Sequence, residues 1–308
     1  MTQAPIVPAG LLEAVDATLR LLDEHSAQHA SLPVTSEPLP SLLEQCQQAC
    51  AEIAERAPEP IRTLHHFACT GGTVMSKQLS VMPNTYVLSE VDPLSMMARE
   101  MSFTPSDLIH QLRLGIRDVD DRLLVKVFIA GLQEIYDWAC HHGARLVLRD
   151  HTHSQFCWGD DIRKGTSLIE LLQDDFPLRS AVTVRHPLDS YLSLDQLNWV
   201  SFSPQTFEEY CRRYLVFLDM HQEMPLFKYE DFVANPETVT QEICAALGLP
   251  FEAGFLDISP LVHLSGDSGR AGTWISARPR REIPDRIAQE RQNSASYRLL
   301  CQRLDYEL

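Results

Sequence analysis

Apolar positions along the chain change their rhythm near residue 60. Before it, Leu11, Leu12, Val15, Leu19 and Leu22 recur at helical spacing. Pro38 and Pro40 interrupt that pattern, and Ser41 opens a second helix running towards Ala57. After Thr63, short β-like runs alternate with amphipathic segments. The runs are Thr63–Cys69, Thr85–Val91, Arg145–Arg149, Ala181–Arg185 and Leu226–Tyr229. Helices are predicted near 73–82, 105–142, 167–175, 187–197, 204–223 and 236–247, and a last one over Asp285–Leu304. Asn235-Pro236-Glu237 marks a helix start and Gly248 a helix stop. Strand–helix alternation predicts an α/β fold, a central parallel sheet with helices on both faces. Residues 1–60 form a helical amino-terminal extension on this reading, and residues 61–308 the main domain.

Composition narrows the function classes. The 308 residues are 44% hydrophobic and 22% charged, the balance of an ordinary globular chain. With 26 Lys and Arg against 42 Asp and Glu, the formal charge is −16. A general binder of nucleic acid or of anionic membrane is therefore excluded, and any anionic ligand needs a local basic patch. Eight cysteines occur without a CxxC pair, which argues against a zinc ribbon and for reduced thiols. The amino terminus has no signal-peptide core, and apolar runs reach about nine residues against the ~20 that span a bilayer. These features predict a cytoplasmic protein with no membrane span.

Chemistry concentrates in two places. Cys69-Thr70-Gly71-Gly72-Thr73-Val74 follows the first β-run and enters a helix. Two glycines let the backbone turn tightly and approach an anion, and the helix amino terminus favours negative charge. Thr70 and Thr73 add hydroxyls. The nucleoside-triphosphatase pattern GxxxxGK[ST] is absent, because Val74 and Met75 follow the threonine and Lys77 lies a turn into the helix. The second place is Arg185-His186-Pro187 with Ser193, where an arginine at a strand end and a serine on the next helix can reach one phosphate.

Taken together, these motifs resemble those of the 3′-phosphoadenylyl-sulfate (PAPS)-dependent sulfotransferases, a P-loop-type α/β family. The loop CTGGTVMSKQLSVMP resembles that family's 5′-phosphosulfate loop, with the layout of the protein-tyrosine and carbohydrate branches. Arg185 and Ser193 match its 3′-phosphate motif, with His186 where the family has Asp. Lys228-Tyr229-Glu230-Asp231-Phe232 and Leu247-Gly248-Leu249-Pro250 resemble a later structural block. Ser268-Gly269-Arg270, with Arg278, Arg280 and Arg281, resembles the basic loop that closes on the nucleotide. The likeness runs over roughly residues 63–282 and leaves the extension outside.

The resemblance implies sulfuryl transfer from PAPS to a hydroxyl or amine of a small-molecule or glycan acceptor, without a metal. It assigns Thr70, Gly71, Gly72, Thr73, Val74, Arg185, Ser193, Arg270 and Arg278 to the nucleotide. Where the family carries a basic residue at the start of the loop, this chain has Cys69; Arg149, Lys77 and Arg270 are the candidate replacements. Two bases are implied. Glu90 matches the catalytic glutamate of the protein-tyrosine branch, and His151, in Arg149-Asp150-His151, matches the base of the cytosolic branch. His65 and His66 are expected to pack without a ligand role. The alternatives are a nucleotide-binding protein of the same fold without catalysis, favoured by Cys69, and a P-loop kinase.

Overall fold

The structure is a computed structural model that describes residues 17–21, 24, 41–55, 57–95, 97, 106–115, 117–162, 167–266, 275–277 and 279–308. The chain divides into two units, Met1–Ala57 and Pro58–Leu308. In the first, helix α1 spans Leu42–Glu55. Ser41 caps it reciprocally: its N–H donates to Glu44 Oε2 (2.7 Å), and its Oγ accepts from the Glu44 N–H (3.2 Å). Residues 17–21 and 24 are helical. Leu11, Leu12, Val15, Leu22, Pro38 and Pro40 lie outside the described residues.

The second unit is built on strands β1 (Ile61–His66), β2 (Thr85–Val91), β3 (Arg145–Asp150), β5 (Leu178–Val184) and β7 (Leu226–Lys228). All four pairings are parallel, in the order β2-β3-β1-β5-β7. A small separate pair joins β4 (Trp158–Gly159) to β6 (Ser201–Phe202). The helices are α2 (Gly72–Ser80), α3 (Leu108–Arg113), α4 (Asp121–His141), α5 (Thr152–Phe156), α6 (Leu168–Leu172), α7 (Pro187–Gln196), α8 (Phe207–Met220), α9 (Tyr229–Ala234), α10 (Pro236–Leu247), α11 (Phe255–Ile258), α12 (Asp285–Asn293) and α13 (Ala295–Leu304). No helix among the described residues is long and apolar enough to cross a membrane.

Parallel strands buried on both faces need apolar side chains on alternate sides, and the sequence supplies them. On one side Leu64, Val147 and Ala181 pack with Met75 and Leu79 of α2, Phe232 of α9 and Ile243 of α10. On the other, Ile61, Leu146 and Leu148 meet Leu132 of α4 and Leu168 of α6. Further along that side, Val182 and Val184 join Tyr210, Tyr214 and Phe217 of α8. Connection order then fixes where a ligand belongs. The chain leaves β1 for β2, beyond β3, and later places β5 on β1's other side. The carboxyl end of β1 is therefore the switch point of the sheet, the customary ligand crevice of an open α/β fold.

The helix predicted over 105–142 is two helices, α3 and α4. The break follows from capping: Asp120 Oδ1 accepts the Leu123 N–H and starts α4 afresh. The helix predicted over 285–304 also divides, because Ser294 Oγ accepts the Tyr297 N–H (2.9 Å) and begins α13. Pro236 and Gly248 bound α10 as expected; Gly248 ends it in the left-handed conformation (φ 65°).

Arg213 of α8 is wholly buried. Its Nε donates to Glu209 Oε1 (2.6 Å), and its terminal nitrogens donate to the carbonyls of Phe156 (3.0 Å), Gly159 (3.1 Å) and Asp160 (2.7 Å). One guanidinium thus ties α8 to the chain around β4. A fourth carbonyl, that of Ser203, also accepts from it (3.4 Å), so removing it leaves four carbonyls short of a donor and Glu209 with Arg212 as its remaining cation. Arg213→Ala is expected to destabilise the unit by about 3–5 kcal/mol, the usual cost of breaking a buried pair, read as a lower denaturation midpoint.

Candidate functional site

β1 ends earlier than its apolar run. Phe67, Ala68 and Cys69 form the turn into α2, with Cys69 (φ 60°) and Gly71 (φ 91°) left-handed. Thr70 is buried; its Oγ1 donates to the Phe67 carbonyl (2.7 Å) and its N–H to the same oxygen (3.3 Å). That threonine holds the turn together with both of its donors. The glycines answer to packing as well as to conformation. A Cβ on Gly71 would collide with the Tyr229 ring, and one on Gly72 with the His66 ring. The two aromatic rings brace the loop: His66 packs there as expected, and Tyr229, of the block after β7, reaches it across the fold. Val74 follows Thr73 in the first turn of α2 and packs beside the cluster of Leu64, Met75 and Phe232.

At one end of this loop stand Arg185 and Ser193. Arg185 Nη1 lies 3.4 Å from Ser193 Oγ and donates to the Cys69 carbonyl (3.3 Å). Its guanidinium sits 4.8 Å from the centre of the Tyr229 ring, and its Nε is buried without a hydrogen-bond partner. A planar cation beside a glycine loop, with a donor still to be satisfied, suits an oxyanion. Ser193 Oγ donates to the Asp189 carbonyl (2.9 Å).

His186 performs the capping work expected of an aspartate. Its Nδ1 accepts the Leu188 N–H (3.2 Å) at the start of α7, and its Nε2 lies 3.0 Å from the Glu307 carbonyl. The ring must be neutral to accept at one nitrogen and donate at the other, and burial holds its pKa below the ordinary value.

At the other end stand Glu90, Arg149 and His151. β2 and β3 run in register from Thr85↔Arg145 to Ser89↔Arg149, then slip, so that Val91 faces Asp150. The extra residue is Glu90, which takes a left-handed backbone (φ 62°). A bulge of this kind re-aims the side chain. Here it drives the Glu90 carboxylate onto Arg149 Nη2 in a close ion pair, with Oε2 3.5 Å from His151 Nε2. Arg149 is completely buried, and its Nη1 donates to Thr73 Oγ1 (2.5 Å), reaching the glycine loop. Its Nη2 also faces the Ser265 carbonyl (3.3 Å), which accepts from Ser89 Oγ (2.8 Å) as well. Gly266 (φ 73°) follows, and a Cβ there would strike both Glu90 and Arg149. Ser265 and Gly266 sit just before the basic segment; their role depends on a contact across the fold that spacing does not reveal.

Arg149, among the candidates to replace a cation at Cys69, therefore touches the loop. Lys77 lies in the last turn of α2. Arg270 and Arg278 lie outside the described residues. Arg280 is a bidentate partner of Asp189 on α7 (2.9 and 3.2 Å).

Compared with family models and with curated proteins, the chain matches none. Solved structures similar to it include the sulfotransferase domain from the Synechococcus PCC 7002 olefin synthase (16% identity, 82% of this chain and 97% of that one, TM-score 0.45). A sulfotransferase from Alicyclobacillus acidocaldarius is similar at 16% identity (82% and 98%, TM-score 0.42). A mouse sulfotransferase, SULT7A1, complexed with PAP, is similar at 12% identity (81% and 90%, TM-score 0.39).

Histidines kept neutral by the fold make stability depend on pH. His186 is one; His153, pushed down to about 4 by burial and by the neighbouring His151, is another. In the unfolded chain each takes a proton below about 6.5, so there the unfolded state binds more protons and stability falls with pH. The His153 contribution alone is about 2 kcal/mol lost at pH ~5 relative to neutrality. Denaturant midpoints measured from pH ~7 to ~5 are expected to fall steadily, and His153→Phe to flatten that slope.

Proposed function

We propose that the chain is a sulfotransferase that moves a sulfuryl group from PAPS to a hydroxyl or amine acceptor, with no metal in the transfer. The observation that carries this reading is the one loop with a phosphate-type cation at one end and an acid–base cluster at the other. Arg185 and Ser193 meet beside Cys69, and Arg149 links Thr73 to Glu90, whose second oxygen lies 3.5 Å from His151. When bound, PAPS supplies an activated sulfuryl group whose S–O bond breaks to leave a phosphate. Arg185, through its unsatisfied Nε, and the backbone of Gly71–Thr73 are the groups that would hold the nucleotide's phosphates.

The residues then divide the chemistry. His151 takes the acceptor's proton on a ring nitrogen, and Glu90 steadies the imidazolium that results. Glu90 itself is the poorer base of the two, because its charge is engaged by Arg149. Arg149 offsets negative charge developing on the leaving phosphate, the work a basic residue at Cys69 would do. Its burial strengthens that action by excluding water. The acceptor is a small molecule or a glycan. Cys69 itself favours a second reading, nucleotide binding without turnover.

Calorimetric titration with 3′-phosphoadenosine 5′-phosphate, without metal, tests the nucleotide site. Binding in the micromolar range that weakens at least ~10²-fold in Arg185→Ala is expected, the loss of a charge-assisted phosphate contact. No binding to the wild-type chain overturns the reading. Transfer from PAPS to an acceptor panel then separates the two readings: His151→Ala is expected to lower turnover by ~10²-fold or more while nucleotide affinity holds. Binding with no transfer to any acceptor selects the second.

A further inference from the structure

A separate group of titratable side chains lies behind the sheet. Successive residues of a strand point to opposite faces. Leu64 and Val147 face α2, and Arg149 and His66 share that parity. His65 and Asp150 belong to the other face, where His221, the residue after α8, meets them; all three are buried. One nitrogen or oxygen from each lies within 4.8 Å of the others. We propose that His65, Asp150 and His221 bind a single divalent transition ion of the zinc class, as a structural site distinct from the transfer chemistry.

The hydrogen bonds around the two imidazoles are those of metal ligands. His221 Nδ1 lies 2.7 Å from the Phe217 carbonyl, so the proton sits there and Nε2 carries a lone pair. That Nε2 is buried with no hydrogen-bond partner, an unfavourable arrangement that an ion relieves. His65 Nε2 lies 2.9 Å from Thr63 Oγ1, which lies 2.7 Å from Ser180 Oγ. With its proton on Nε2, His65 donates to Thr63, and Thr63 donates to Ser180. Each ring's remote N–H is then fixed by an oxygen acceptor, the outer-shell pattern that orients histidine ligands.

In that tautomer, His65 Nδ1 turns a lone pair towards Asp150 Oδ2 at 2.7 Å. Two acceptors at this distance need a cation. Without metal the cation is a proton on Nδ1, and Thr63 reverses its bond. Metal entry moves that proton to Nε2, with no net release, and replaces the His65–Asp150 hydrogen bond. The two ligand atoms then separate to the roughly 3.3 Å set by ~2.0 Å bonds at a tetrahedral angle. Two imidazoles and one carboxylate suit zinc and its neighbours, whereas calcium and magnesium favour all-oxygen sites. The ion would fix the end of β3 from behind, between the two residues that flank Asp150, Arg149 and His151.

Metal content of the purified full chain tests the site. After chelation and dialysis, wild type is expected to take up about one zinc per chain. Cobalt in its place is expected to give the visible absorption of a tetrahedral site, and the melting temperature to rise with either ion. His221→Ala and the isosteric Asp150→Asn are each expected to lose uptake, spectrum and melting shift, while His153→Ala keeps all three. Absence of uptake by wild type overturns the proposal, and so does equal uptake by either folded variant. A water or proton at the site gives the first of these results. None of these readouts depends on the transfer activity.

Discussion

A fully buried guanidinium is the constraint around which the site is arranged. Arg149 has no exposed surface, and an unpaired cation in that position would cost far more than any single contact returns. Strand geometry alone does not provide its partner, because Ser89, not Glu90, stands opposite Arg149 in the register. The bulge at Glu90 resolves this by accepting one left-handed residue to bring a carboxylate where the charge requires it. Everything nearby conforms to that pair. Thr73 accepts from Arg149 Nη1, His151 lies within reach of the second Glu90 oxygen, and residue 266 has no room for a side chain.

The loop between β1 and α2 is constrained from both sides. The glycines read at first as space for a ligand. Their positions are also dictated by Tyr229 and His66, whose rings occupy the places where side chains would be. Tyr229 in turn lies under the Arg185 guanidinium. One aromatic ring thus spaces the loop and positions the cation at its end. Thr70 illustrates the division of labour between neighbours of the same type: its donors close the turn, while the Thr73 oxygen is turned to Arg149.

Much of this architecture is legible in the sequence, for identifiable reasons. β2 matches its apolar run from Thr85 to Val91, and α10 is bounded by a proline and a glycine whose backbone preferences are local. Arg185 and Ser193 are eight residues apart across a strand–helix junction, so their meeting is a short-range consequence of chain direction. What escapes the sequence is long-range or depends on a single residue. Periodicity runs through Asp120 and Ser294, because a cap changes hydrogen bonding without changing hydrophobic rhythm. β1 stops at His66, although Phe67 and Ala68 are as apolar as the strand before them; they are buried in the turn rather than paired. The Glu90 slip is invisible because a bulge leaves no compositional mark. The contacts of Gly266 and Tyr229 join segments more than a hundred residues apart.

Alternation along β1 and β3 has a consequence beyond the core. His65 and His66 are adjacent in sequence and lie on opposite faces of the sheet, as do Asp150 and Arg149. The residues that brace or contact the glycine loop therefore share their backbone with a polar cluster on the far side. A strand end is held by the side chains on both of its faces, and Arg149 and His151 can be no better fixed than the Asp150 between them. Asp150 is anchored by His65, which is anchored in turn by Thr63 and Ser180 across β1 and β5. This hydrogen-bonded chain crosses the three central strands beside the switch point. His221 Nε2, buried beside this chain, has no hydrogen-bond partner. A polar row here gives one fixed register to the strand ends that carry the candidate site.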